Sequence, residues 1–172
     1  MKTATSPRLN QFLRDESGGP IVELALIVPL LSLLTFGMIE FGYLLYQQHI
    51  VTKGVQEAAR FVARSPAITE GGTCPPSGGA LSAITGAAAN IATSGRAAGG
   101  TTRLTNFTTS TISISVSCAA GGGLITSTPV GGGIPVVTVV ADVPAASTGF
   151  LSFLPIAPIG LEAQHQEMGV GL

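Results

Sequence analysis

Two carboxylates stand inside the most apolar stretch of this 172-residue chain. Between Pro20 and Tyr46, Glu23 and Glu40 are the side chains expected to carry a charge. A carboxylate in such a segment is costly unless it is paired or lies at the level of lipid headgroups. For Glu23 both interpretations stay open. Glu40 is expected near the outer interface, in contact with headgroups or water, and a pairing role is the alternative.

The second pair of chemically distinctive residues is Cys74 and Cys118, the two cysteines of the chain. Neither lies in a CxxC or other metal-ligand spacing. A disulfide between them would contribute on the order of 4 kcal/mol by loop-closure entropy, and it requires an oxidising compartment. Two unrelated buried thiols are the alternative. The disulfide interpretation places the C-terminal part of the chain outside the cytoplasm.

Residues for catalysis are sparse. His49 and His165 are expected to have no second His, Cys or acidic neighbour at metal-ligand spacing, and the GxSxG, P-loop and HExxH motifs are absent. The glycine triplets 121–123 and 131–133 lack the Lys-Ser/Thr of a phosphate loop. The net charge is -1, without a basic run. We expect no enzyme, no metal, no cofactor, no small-molecule substrate and no nucleic acid.

The element that carries both carboxylates is a predicted membrane helix. A helix from Glu23 to Glu40 would be about 26 Å long, close to the hydrocarbon thickness of a bilayer. Pro20 suits the first helical turn, and Pro29 predicts a kink. A cleaved secretory signal is the competing interpretation, but its apolar stretch is normally shorter and ends in small residues rather than in aromatics such as Phe41 and Tyr43.

The helical pattern continues beyond the span. Between Gln47 and Arg64 one narrow apolar stripe recurs at helical spacing, with charged and amide side chains elsewhere on the helix. Ser65 and Pro66 should end the helix. The stripe consists of Val51, Val55, Ala58, Ala59 and Val62.

The remainder predicts a small α+β domain. Residues 80–96 are consistent with a short helix, and the apolar residues then alternate with period two over 111–118 and 134–143, as in half-buried strands. The Gly-rich stretch 119–133 would join these strands as a long hairpin loop, and 161–168 is a weaker third candidate. The predicted fold class is α+β: a long N-terminal transmembrane helix, an amphipathic stem and a small antiparallel β-sheet ectodomain.

Five features in order give the N-terminal segment, roughly 14–64, a family resemblance. A short basic leader precedes Gly18, and Val22-Glu23 then opens an apolar run that contains Pro29. An IEFG motif follows within 38–42, and an AAR segment stands at 58–60. This arrangement resembles the TadE-like family of minor pilins and pseudopilins of the tight-adherence (Tad) pilus system.

The resemblance implies a processing site and an assembly residue. In type IV pilins and pseudopilins a prepilin peptidase cuts after a Gly and leaves a Glu at the fifth mature position. Cutting after Gly18 would make Gly19 the first residue and Glu23 the fifth. In a bundle of such helices a buried Glu23 would pair with the N-terminal amine of a neighbour, which relieves its desolvation cost only in the correct register. An uncut anchor also fits the family.

The prediction that follows has four segments: a cytoplasmic leader over 1–18, a transmembrane helix over 19–46, an amphipathic stem over 47–65 and an extracytoplasmic α+β domain over 66–172. The resemblance implies a bacterial inner-membrane protein that assembles, primes or anchors a Tad pilus for adhesion or secretion. Its partners would be the membrane, other pilins, Tad assembly proteins and a prepilin peptidase. The alternatives are a signal-anchored envelope protein with a partner-binding ectodomain outside any pilus, and a secreted domain.

Overall fold

The computed structural model describes residues 18–69, 74, 76, 78–119, 133–146 and 159–169. The chain divides into two compact units, residues 1–41 and 42–172. The predicted class is confirmed: a long apolar N-terminal helix precedes a small three-stranded antiparallel sheet. In chain order the described elements are α1 (Gly19–Ala63), α2 (Pro66–Thr69), α3 (Gly79–Ser94), a 3₁₀ turn (Thr109–Thr111), β1 (Ile112–Ala119), β2 (Ile134–Pro144) and β3 (Gly160–Met168).

Helix α1 begins and ends close to the predicted residues. Pro20 is its second residue, where the missing N–H removes a donor that would lack an intrahelical acceptor in any case. The helix continues through Pro29 and has its last turn at Ala63. Ser65 then donates its N–H to the carbonyl of Val62 at 3.0 Å, and Pro66 opens the separate short helix α2.

The sheet has the order β1-β2-β3, and both pairings are antiparallel. Val139 lies at the centre, opposite Ile114 on β1 and His165 on β3. Burial alternates along β2, as the period-two pattern predicts. The weaker third candidate, 161–168, is confirmed as strand β3, which pairs with β2. The predicted loop over 119–133 lies mostly outside the described residues.

The core of the 42–172 unit is built from the stem part of α1, from α3 and from one face of the sheet. All five residues of the predicted stripe on α1 are buried, with at most 1 % of their surface exposed. Burying such a stripe against a sheet is the main source of stability for an amphipathic helix. The same cluster contains Ala88 and Ala92 of α3, Phe107, and Val137, Val139, Ala141 and Val143 of β2.

Gly54 permits the closest helix approach in this core. A Cβ built on Gly54 would lie 2.5 Å from the backbone oxygen of Ala92 and 3.1 Å from Cε1 of Phe107. Real Cβ atoms do not approach a backbone oxygen so closely, so no larger residue fits unless α1 and α3 separate. The glycine therefore sets the distance between the two helices.

Cys74 and Cys118 form a disulfide in the structure, with their Cα atoms 5.9 Å apart. Cys118 lies near the end of β1, and Cys74 precedes α3 by five residues. The bond closes a loop with a sequence separation of 44 residues that contains both α3 and β1. It therefore holds a helix and an edge strand of the sheet in one covalent ring.

Candidate membrane anchor and the contacts of its stem

The first part of α1 exposes nearly all of its apolar side chains. The helix contains an 18-residue window with a mean hydropathy of 2.2, none of it buried, and is long and apolar enough to cross a membrane. A soluble protein rarely leaves so continuous an apolar surface open to water. Between residues 21 and 41 the large apolar side chains are 42–75 % exposed: Ile21, Val22, Leu24, Leu26, Ile27, Val28, Leu30, Leu31, Leu33, Leu34, Phe36, Met38, Ile39 and Phe41.

The two hydroxyl side chains within this surface are satisfied by the helix itself. The Ser32 hydroxyl donates to the carbonyl of Val28 at 2.8 Å, and the Thr35 hydroxyl donates to the carbonyl of Leu31 at the same distance. Such bonds to the preceding turn let a hydroxyl enter hydrocarbon without leaving an unpaired donor. These two residues are therefore compatible with a lipid or helix–helix environment.

Glu23 is the fifth residue of α1 and is exposed. By helical rise it lies about 6 Å from the start of the helix and about 26 Å from Glu40. Its carboxylate is available to a headgroup, to water or to a cation of another molecule. Both interpretations of Glu23, a carboxylate at the level of lipid headgroups and a carboxylate paired with another molecule, therefore stay predictions.

Gly18 and Gly19, the residues of the predicted processing site, are exposed at the start of α1. A Cβ added to either would find no atom within 4 Å. The described residues therefore leave the bond between them sterically open. Whether a peptidase cuts there stays a prediction.

Glu40 corrects one expectation. Its side chain is buried, with 3 % of its surface exposed, so contact with headgroups or water is wrong for this residue. Glu40 also has an interaction partner. A carboxylate removed from water needs such compensation, because the free energy of burying an unpaired charge is several kcal/mol.

Gln47 makes a double contact that the sequence pattern does not reveal. Its side chain is 1 % exposed, its Nε2 donates to the carbonyl of Ala146 at 2.8 Å, and its Oε1 accepts the N–H of Ala146 at 2.9 Å. The amide therefore pairs with both the N–H and the C=O of one residue, as an antiparallel neighbouring strand would. One turn of the stem is thereby joined to the segment directly after β2.

Further polar contacts join the stem to the rest of its unit. Gln48 donates through Nε2 to the carbonyl of Glu162 at 2.9 Å. Arg103 forms an ion pair with Glu57 at 2.8 Å, with both side chains partly exposed. An ion pair in such a position contributes about 0–1 kcal/mol. The contact therefore orients the 103 region on the stem more than it stabilises the fold.

His165 corrects one expectation, because it has an acidic neighbour on its own strand. Its Nε2 lies 3.0 Å from Oε2 of Glu167, two positions along β3 on the same face of the strand. His49 is exposed on the stem. Among the described residues, no group of three or more His, Cys, Asp or Glu side chains is arranged to hold a metal ion.

The family model described as TadE-like protein matches residues 20–60. The matched segment begins at the second residue of α1 and ends within its last turn, so it contains the exposed apolar surface, Glu23, Glu40 and most of the buried stripe. No curated protein and no solved structure matches the chain.

Proposed function

Since residues 20–60 match the family model described as TadE-like protein, we propose that this chain is a minor pilin or pseudopilin of a Tad-type pilus system. It acts by binding rather than by catalysis: α1 anchors it in the membrane, and it takes part in assembling, priming or anchoring a pilus for adhesion or secretion. The observation that carries the proposal is the coincidence of the family match with the exposed apolar part of α1.

The membrane placement in this proposal is a single pass through the bacterial inner membrane. The N-terminus lies in the cytoplasm, and the domain that follows the stem lies outside it. The disulfide between Cys74 and Cys118 supports this orientation, because such bonds persist in oxidising compartments and are rare in the cytosol.

Glu23 is the assembly residue in this proposal. Lateral packing of α1 against other pilin helices transfers its carboxylate from a wet interface into a helix bundle, where an unpaired charge is costly. A cation at the same depth on the neighbouring helix removes most of that cost. If a prepilin peptidase cuts after Gly18, the new α-amine of a neighbouring subunit supplies that cation. The residue would then select the axial register of the bundle.

The mass and N-terminal sequence of the protein recovered from host membranes test the processing step. A start at Gly19 supports cleavage and the amine–carboxylate pair. A start at Met1 contradicts the cleaved-pilin mechanism and leaves an uncut TadE-like anchor. In that case Glu23 requires a side-chain cation of another assembly protein.

Substitution of Glu23 by Gln tests the assembly role without changing the size of the side chain. We expect the membrane level of the E23Q variant to stay at that of the parent, while the amount of pilin that copurifies with it falls by about tenfold or more. Leu24→Ala is the matched control, because Leu24 is the adjacent residue and is also exposed. Full copurification with E23Q would favour the signal-anchored envelope protein over the pilus component.

A further inference from the structure

The stem of α1 carries a row of cations on the side that faces away from the core. Lys53, Arg60 and Arg64 are all exposed. At 100° per residue their directions differ by about 40°, and the row extends over about 17 Å of the helix. Glu57 lies beside this row, but its carboxylate is bonded to Arg103 at 2.8 Å. The cation row therefore keeps a net positive charge.

A shallow groove with an apolar floor lies alongside the cation row. Phe61 is 38 % exposed, and Ile91 and Pro66 line the same groove. Arg60 and Arg64 also line it, together with Ser65 and with Glu57, whose carboxylate is bonded to Arg103. An exposed aromatic ring between arginine side chains is the composition that is enriched at protein–protein interfaces. We refer to this groove as the Phe61 groove.

The outward face of the sheet has the opposite charge. Ala141 and Val143 are buried on β2, so Asp142 between them points outward, and Glu162 on β3 is placed in the same way. Asp142 and Glu162 are direct partners in the β2–β3 register. They are the charged side chains among the described residues of that face, which otherwise presents Ser, Thr and Gln side chains together with apolar ones such as Val136, Val140 and Met168.

Two like charges opposite each other on neighbouring strands destabilise a sheet. Among the described residues, no ion pair within 4.0 Å joins either Asp142 or Glu162 to a cation. A cation supplied by another molecule would turn this repulsion into attraction. The acidic pair therefore has the chemistry of a contact point for a basic surface.

The two charged surfaces lie on different sides of one core. The stripe of α1 and the inward face of β2 belong to the same buried cluster. The cation row points away from that cluster on the helix side, and Asp142 and Glu162 point away from it on the sheet side. One copy of the unit thus presents a basic surface and an acidic surface that face in different directions.

We propose that a second copy of this chain docks its outward sheet face on the Phe61 groove, with Asp142 and Glu162 opposite Arg60 and Arg64. The two surfaces differ, so the contact is heterologous, and its repetition produces a ring or an open row of subunits rather than a two-fold symmetric dimer. The proposal rests on the proposed function, because it identifies another copy of the chain as a neighbour within the assembly.

Photo-crosslinking of the full chain in its own membranes tests the contact. Phe61 is replaced by p-benzoylphenylalanine, two differently tagged copies are co-expressed, and crosslinked peptides are identified by mass spectrometry after irradiation. We expect crosslinks between the two tags, with the partner peptide containing residues of β2 or β3. Crosslinks confined to other regions, to other proteins or to lipid would overturn the proposal.

Charge reversal supplies the second test. The double variants R60E/R64E and D142K/E162K should each lower the homotypic crosslink by about tenfold or more, because like charges then meet across the contact. When the two variants are co-expressed, each sheet face again meets a helix face of opposite charge. The crosslink between them should then return to the parent level. If either double variant, expressed alone, keeps the crosslink at the parent level, the proposal is overturned. It is also overturned if co-expression of the two variants does not restore the crosslink.

Matched controls separate this contact from folding and from the proposed function. R96E reverses an exposed charge outside both surfaces and should leave the crosslink unchanged. Mobility on a non-reducing gel reports whether each variant has formed its disulfide. An E23Q variant that still copurifies with pilin would count against the proposed function, whatever the Phe61 crosslink shows. If E23Q lowers the copurification of pilin as expected but Phe61 does not crosslink to β2 or β3 of another copy, only the contact is contradicted.

Discussion

The two parts of α1 show opposite relations between apolar side chains and burial. Between residues 21 and 41 apolar side chains surround the helix and are exposed. Between residues 47 and 63 they form one stripe, and that stripe is buried in the core of the 42–172 unit. A single helix thus has a surface whose partner is the chain itself and another whose partner must be supplied from outside. Substitutions in the buried stripe should therefore lower the free energy of unfolding of the 42–172 unit, whereas substitutions in the exposed part should leave it nearly unchanged.

The largest expected effect is that of Val55→Asp. Val55 is 1 % exposed, so the substitution buries an unpaired carboxylate and should lower the free energy of unfolding by about 5 kcal/mol. Pulse proteolysis of the full chain in detergent micelles, at increasing urea, measures this change. Lys53→Asp, two residues away and exposed, is the control and should change the free energy by less than about 0.5 kcal/mol. Equal losses of stability at the two positions would contradict the burial of the stripe.

Removal of the disulfide should have the next largest effect. For a loop with a sequence separation of 44 residues, loop-closure entropy predicts a loss of about 4 kcal/mol in the C74S/C118S variant. The same urea and proteolysis assay applies, and the membrane level of the chain should not change. An unchanged urea midpoint would show that the disulfide contributes little to the stability of the 42–172 unit.

Much of this stem and its sheet follows from sequence periodicity. The five stripe residues, the end of the stem near Ser65 and the strands all agree with the pattern, because periods of 3.6 and 2 report directly which face is buried. The burial of Glu40 and the pairing of Gln47 with Ala146 do not follow from it. The Gln47 contact has a sequence separation of 99 residues and depends on how the elements meet in space.

The close packing around Gly54 is another feature that the periodicity does not reveal. Glycine within a helix normally lowers stability, so sequence alone suggests that Gly54→Ala would stabilise α1. The structure predicts the reverse, a loss of about 2 kcal/mol, because the added Cβ would lie 2.5 Å from the backbone oxygen of Ala92. Gly42→Ala is the control in the same helix, with no atom within 4 Å of its Cβ. A stabilised G54A variant would contradict the close approach of α1 and α3.

The smallest expected effect is that of Leu33→Ala in the exposed apolar part. Leu33 is 56 % exposed, so its truncation should change the unfolding free energy of the 42–172 unit by less than about 0.5 kcal/mol. The pulse-proteolysis assay measures this as an unchanged urea midpoint. A loss comparable to that of G54A would mean that the exposed part of α1 also stabilises the folded unit.

The pairing of Gln47 with Ala146 also determines how the domain would carry mechanical load. A pull transmitted through the stem reaches the Gln47 amide, whose two hydrogen bonds pass it to the residue that lies two positions after β2. That strand is the central one, bonded on both sides along its length. Tension would therefore be shared by two ladders of backbone hydrogen bonds instead of opening an edge strand one bond at a time.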